Sequence, residues 1–505
     1  MTLCAFLAAG CGGGGGGAPA PSAAGDGIQP SAQFAGVLVN TAPGAGTLES
    51  DWSAATCTDN RQKNWVRSWV NENYLFYRDA PLTSIDPDTY TGTVENLFLD
   101  YTVHGVPSKD RFSFVLPQAD ADAVFQSGTA TSVGFTLRRD SNNGGIIRIA
   151  YVDPNGPAAA VGFARGMVLA TVDGVATSNS LPQAQFEHLF NSAAGTSSVI
   201  GVQDTVGGTV HTLTVASANF STSPLIVDRV LPATTTGYLA YNSFATPVGE
   251  VQLADAFTRF AAAGVTDLVV DLRYNGGGFL DIAAELAYMV AGQAQSSGKV
   301  FETFAYNDKR SADNFTIDFV SAITRHFGND ARAGEPLSAL NLRRIAVLTS
   351  GSTCSASESF INGLRGIDID VVLVGGTTCG KPYGFNEADN CTQAFFGLEF
   401  EGRNNKGAAT PVSGIPATCA AVDDLDHALG DPAERMLATA LGYRLAGSCP
   451  AVPVALAANT RALRAGSVQA GASMNAAAYK PYALNADMEF MTSPLETIKL
   501  YRKAK

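Results

Sequence analysis

The hydrophobic rhythm of the chain changes three times along its length. From about residue 55 to 125 apolar positions recur at helical spacing, as in "NWVRSWVNENYLFY", where Trp65, Trp69, Val70, Tyr74 and Phe76 form an apolar face. The later "KDRFSFV" reads as the run-in to a strand. Residues 130–218 switch to short strands separated by Gly-rich turns. From about 222, apolar β-branched runs alternate with helical spacing. "TDLVVDL" (266–272), "RRIAVLTS" (343–350) and "IDIDVVLVGG" (367–376) predict strands buried on both faces, whereas "FLDIAAELAYMVAG" and "ERMLATALGYRL" predict helices. That alternation predicts an α/β domain, a β-sheet with flanking helices.

Length and charge narrow the picture. At 505 residues the chain exceeds one compact core, so two or three domains are expected. A formal net charge of −13, with no Lys/Arg run to offset it, argues against a nucleic-acid partner. The opening "MTLCAFLAAGC" is too short an apolar run to span a bilayer and resembles the signal-peptide end and lipobox of a bacterial lipoprotein, with Cys11 as the lipidated residue. "GGGGGGAPAPSAAGDG" then reads as a flexible tether. With no Asp after Cys11, that resemblance implies the bacterial cell envelope, an outer-membrane lipoprotein facing the periplasm. The expected organisation is a signal-peptide remnant (1–10), the lipidated cysteine and linker (11–50), a small helical N-terminal module (51–127), a β-rich domain (128–220), the α/β domain (221–450), and a tail (451–505) with no assigned role.

Cysteine usage agrees with export. With Cys4 removed and Cys11 acylated, Cys57, Cys354, Cys379, Cys391, Cys419 and Cys449 remain, an even number suited to disulfides whose pairing the spacing leaves open. No Cys/His cluster has zinc spacing, and His104, His188, His211, His326 and His427 are scattered, so neither a metal nor another cofactor is expected.

The β-rich region resembles a PDZ domain of the bacterial kind. "SVGFTL" followed by "GGIIRIAYVDPNGPAAAVGFARGMVLATVDGVAT" follows that family's order of strand, turn, short helix and strand, with Met167 where Asp is usual. The resemblance implies that Gly134 and Phe135 lie in the loop that binds a peptide C-terminal carboxylate, the peptide itself adding to a strand edge.

Chemistry concentrates in the α/β region. In "GSTCSASESFINGLRG" (351–366) a strand reaches a corner of small residues and continues as a helix, which places Ser355 at a helix N-terminus with free N–H groups and the positive dipole end. The plainer reading is a helix cap, with Glu358 completing a capping box. "DLRYNGGGFL" (271–280) ends a buried strand in glycines that let backbone approach a ligand. "GGTTCGKPYGF" (375–385) puts Lys381 after a third strand, where it is either a solvated cation or, withdrawn from water, a base for a serine.

Together these segments resemble the C-terminal processing peptidases, a serine peptidase family with a DLRxNxGG strand end, an S-A-S-E corner and a Gly-Lys farther on. The resemblance spans roughly residues 55–450. It implies Ser355 as nucleophile and Lys381 as general base, and N–H groups of Ala356, Gly277 and Gly278 as oxyanion donors. Glu358 and Thr378 fall on supporting positions. The expected activity is cleavage of exported or unfolded polypeptides recognised by their C-termini. The chain departs from the pattern at Phe385, where members often carry a Gln that orients the lysine, and in having Cys354 and Cys379 beside the catalytic pair. A Cys379–Cys391 disulfide bracing the lysine loop is one expectation. The alternative is a tethered peptide- or hydrophobic-ligand-binding protein of weak or no activity on the same fold. A Ser–His enzyme using His427, resembling the tricorn branch, gives way because Lys381 fills the base position.

Overall fold

A computed structural model describes residues 27–37, 52–177, 179–324, 332–451 and 490–491. The lipidation motif at Cys11 lies outside them. Close contacts divide the chain into two units.

The first unit takes in residues 1–119, 307–312 and 386–398. Its helices are α1 (Asp59–Asn73) and α2 (Val94–Tyr101). The helix ends before two residues of the expected apolar face. Tyr74 is extended (φ −66°, ψ 132°), and Leu75 N–H bonds to Leu398 O at 2.7 Å instead of continuing the helical ladder. Strand β1 (Phe114–Pro117) pairs antiparallel with Gln393–Phe396. Trp65, Trp69 and Phe98 pack with Phe395, so the aromatic periodicity of the N-terminal region is completed by side chains from far along the sequence. A Cys57–Cys391 disulfide fastens the same unit. That pairing overturns a Cys379–Cys391 bridge, because Cys391 belongs to this small sheet.

The second unit holds the rest and has two sheets of interest. In the β-rich part, β2 (Thr129–Ser132) precedes β3 (Phe135–Asp140), β4 (Ile146–Val152) and β5 (Val168–Val172). Helix α3 (Gln183–Phe190), β6 (Ser197–Gln203), β7 (His211–Ala216) and β8 (Ala218–Ser221) follow. Strands β3, β4, β5, β6 and β7 are consecutive neighbours, and Phe135, Leu137, Ile149, Leu169, Leu189 and Ile200 share their core. Strands β2 and β8 pair separately.

The α/β part begins at β9 (Leu225–Val230) and β10 (Thr236–Tyr241), followed by α4 (Pro247–Ala262), β11 (Asp267–Asp271) and α5 (Leu280–Ala291). Then come β12 (Arg344–Thr349), α6 (Ala356–Gly366), β13 (Asp370–Gly375), β14 (Cys419–Ala420) and α7 (Arg435–Ala446). The sheet order is β9-β10-β11-β12-β13-β14, parallel from β10 onward. Strand alternation explains why "TDLVVDL" carries apolar residues on both of its faces. Leu268, Val270 and Leu272 join a core with α4, α5 and α6, while Val269 joins another with Leu437 and Ala440 of α7. Phe360, Ile361 and Leu364 anchor α6 in the first core, each burial contributing about 1.5–3 kcal/mol.

A buried ion network joins the two parts of this unit. Asp423 accepts from Arg165 and Arg273, both at 2.7 Å, from Tyr274 OH at 2.5 Å, and from Arg138. Burial alone would raise its pKa, but the surrounding guanidiniums hold its carboxyl well below the usual carboxylate range. Arg273 also grips Glu434 and Asp271. The strand end that leads into the Gly turn is therefore fixed by charge as well as by packing.

Candidate active site

Three strand ends of the parallel sheet deliver the site. After β12 the chain makes a corner, and α6 begins at Ala356 with Ser355 as its N-cap. Ser355 has φ 56° and ψ −119°, a left-handed backbone that an L-residue holds only when its surroundings over-determine it. The half-buried serine therefore sits on a strained turn at the positive end of a helix.

Glu358 is the residue that organises the corner. It is fully buried, and its Oε2 accepts from Ser355 N–H at 3.2 Å and Lys381 N–H at 2.8 Å. The two backbone nitrogens are thus no farther apart than those two bonds laid end to end. Its Oε1 accepts from Gly380 N–H at 2.9 Å and the Thr378 hydroxyl at 2.5 Å. Thr378 in turn accepts from Ile415 N–H at 2.7 Å. Desolvation raises the Glu358 pKa, and these hydrogen bonds oppose that rise. The capping role is real, but the carboxylate also binds the lysine loop, which a cap alone does not do.

A disulfide between Cys354 and Cys379 makes the same connection covalently. The lysine loop is braced as expected, but by the residue before the serine. Cys379 N–H adds a bond to Thr353 O at 3.0 Å. Cys354, Glu358 and Cys379 have metal-like proximity, yet with the sulfurs joined neither offers a thiolate.

Lys381 is buried, with Nζ 3.9 Å from the centre of the Phe385 ring. Phe385, the departure noted in the sequence, therefore presents an aromatic face to the amine, which attracts its cationic form. His427 pairs through Nδ1 with Asp424 at 2.9 Å.

The glycine turn abuts the serine. A Cβ on Gly277 (φ 105°) would stand 2.8 Å from Ser355 Cβ and 3.1 Å from Ala356 N, so only glycine fits there. Gly277 N–H donates to Asn275 Oδ1 at 2.8 Å. The N–H groups of Ala356 and Gly278 meet no acceptor among the described residues, and these two are the donors open to an oxyanion.

Asn275 went unnominated in the sequence and proves central. It is fully buried, its Nδ2 donates to Tyr241 O at 2.9 Å, and its carbonyl accepts from Cys354 N–H and the Ser357 hydroxyl, both at 3.1 Å. It fixes the glycine turn against the serine corner. The available signal was an amide side chain directly before three glycines.

The structure places Gly134 (φ 86°) and Phe135 at the start of β3, where they line a groove of about 360 Å³ with Tyr151, Asp153, Phe190 and Asn242.

Residues 235–389, a span containing every residue of the serine corner, glycine turn and lysine loop, match the peptidase family S41 model. A chloroplastic C-terminal processing peptidase of Tetradesmus obliquus is 25% identical over 253 residues, 47% of this chain and 49% of the relative. The chain thus spans about half the length of that curated relative. A solved structure from Bacteroides fragilis, assigned to the S41 proteases, is 25% identical with a TM-score of 0.60, covering 76% of this chain and 97% of the other. The photosystem II D1 C-terminal processing protease is 17% identical with a TM-score of 0.45, covering 76% and 97%. The chain is thus similar to the C-terminal processing peptidases, and its residues 235–389 match peptidase family S41.

Proposed function

We propose that this protein is a serine endopeptidase working through a Ser355–Lys381 dyad. The observation that carries the reading is Glu358, one buried carboxylate bonded to the backbones of both residues. Lys381 as a free amine takes the proton of Ser355 Oγ as that oxygen attacks a peptide carbonyl. The tetrahedral oxyanion is received by the N–H groups of Ala356 and Gly278, aided by the helix dipole. The ammonium then returns the proton to the leaving amine, and water completes deacylation by the same exchange. In this reading β3 is the edge to which a PDZ-type ligand, the substrate's C-terminal segment, is added as a strand.

One observation favours the runner-up, a peptide-binding protein of weak or no activity. The Phe385 ring holds Lys381 Nζ by a contact that is lost when the amine gives up its charge. The discriminating experiment incubates an unfolded polypeptide, with free or amidated C-terminus, with the protein and its Ser355→Ala and Lys381→Ala variants. Cleavage by the parent that falls by at least 10³-fold in both variants is the expected outcome, on the scale of losing a nucleophile or its base. Equal inertness of all three, with the polypeptide still bound, establishes the binding protein instead.

A further inference from the structure

Strand β3 does not end its sheet. Beyond it lies β15 (Phe490–Met491), from the far end of the chain, antiparallel, with Phe490 opposite Arg138 and Met491 opposite Leu137. Strand β4 covers the other side of β3, so β15 occupies the edge at which a peptide would add. An edge strand presents unpaired N–H and C=O groups, and a strand that satisfies them excludes any other.

Two features make β15 a competitor rather than a permanent member of the sheet. Its direction is the first. With residue 490 opposite 138 and 491 opposite 137, the chain runs toward Phe135 and Gly134, the end of β3 where a substrate terminus would lie under the reading above. The second is its size. A two-residue ladder contributes little by itself, and Pro494, three residues on, cannot donate to a ladder. Residues 452–489 separate β15 from the α/β part and, at roughly 3.3 Å per residue, supply ample reach. A strand on the same chain competes intramolecularly, without dependence on protein concentration. Such a strand closes the edge to weak or scarce ligands and yields to a better one.

We propose that the Phe490–Met491 segment is an intramolecular occupant of the β3 edge, blocking it until a substrate strand displaces it. The proposal rests on β3 being the peptide-adding edge, but not on any cleavage. The test uses the full-length protein and its Phe490→Pro/Met491→Pro double variant, since proline removes the donors that a ladder needs. Hydrogen exchange is followed over residues 135–140, and a labelled peptide with the sequence of residues 484–497 is titrated into both proteins. The expected result is at least tenfold faster exchange in the variant and at least tenfold tighter binding of the added peptide. Unchanged exchange overturns the proposal. So does faster exchange with equal peptide binding, because the edge would then not be contested. Since neither readout involves turnover, a failed peptidase reading and a failed occupancy reading are told apart.

Discussion

Two glycine-containing turns in this protein, Gly276-Gly277-Gly278 and Val133-Gly134-Phe135, are built for different ends. In the 276–278 turn, the missing side chain of Gly277 makes room for Ser355, while the N–H groups of Ala356 and Gly278 stay open among the described residues. In the 133–135 loop, Gly134 makes room for other backbone, since a Cβ there would stand 2.7 Å from Gly156 Cα. Its donors are largely spent. Gly134 N–H goes to Ser132 Oγ at 3.2 Å and Val133 N–H to Leu189 O at 3.4 Å. A glycine in a sequence therefore marks a close approach or a positive φ. Whether a ligand profits depends on where neighbouring acceptors lie, which only the fold decides.

The largest expected effect tests that contrast directly. Gly277→Ala pushes a methyl into Ser355, and cleavage should fall on the order of 10²–10³-fold, as when an oxyanion donor is displaced. Gly134→Ala should instead lower the melting temperature, by strain on the order of 1–3 kcal/mol, and leave turnover of a short amidated peptide near normal. Equal loss of turnover in both would break the distinction between the two loops. A smaller effect is expected at the disulfide. Replacing Cys354 and Cys379 together by serine should lower kcat about tenfold, because Glu358 still ties the corner to the lysine loop. The same replacement at Cys419 and Cys449 should lower stability by about 2–4 kcal/mol and spare kcat. Parallel measurements of kcat and melting temperature separate the two. Unchanged kcat in the Cys354/Cys379 variant would make that bridge a stabilising device only.

The contrast also explains what was legible beforehand. The three central strands of the α/β part carry their burial in their own residues, so "TDLVVDL", "RRIAVLTS" and "IDIDVVLVGG" could be placed without knowing their partners, whereas β9, β10 and β14 were not. The serine corner was legible because a strained strand-to-helix turn needs small residues locally. What escaped depends on distant partners. The aromatic face of α1 meets Phe395, Cys391 pairs with Cys57, and α1 stops at Asn73 because Leu75 finds Leu398. Asn275 was hidden for the opposite reason, since its motif drew attention to the glycines while its own bonds run to Tyr241, Cys354 and Ser357. The strand at Phe490–Met491 had no periodicity to announce it. A two-residue pairing is created by the edge it joins.

The smallest expected effect lies at Ser132, whose hydroxyl accepts the Gly134 N–H. Ser132→Ala removes that acceptor and releases one donor at the mouth of the groove. If the 133–135 loop receives a terminal carboxylate, the freed N–H should strengthen binding of peptides with a free C-terminus a few-fold, in line with about 0.5–1.5 kcal/mol for one hydrogen bond. Amidated peptides serve as the reference, because a tail strand on β3 competes equally with both and cancels in the ratio. A rise in the free-to-amidated affinity ratio, read by fluorescence anisotropy, would show that the loop is a carboxylate receptor held partly closed by its own serine. An unchanged ratio would mean that β3 binds its partner by strand addition alone, leaving Gly134 to serve the packing against Gly156, so that the two glycine turns differ in kind rather than in degree.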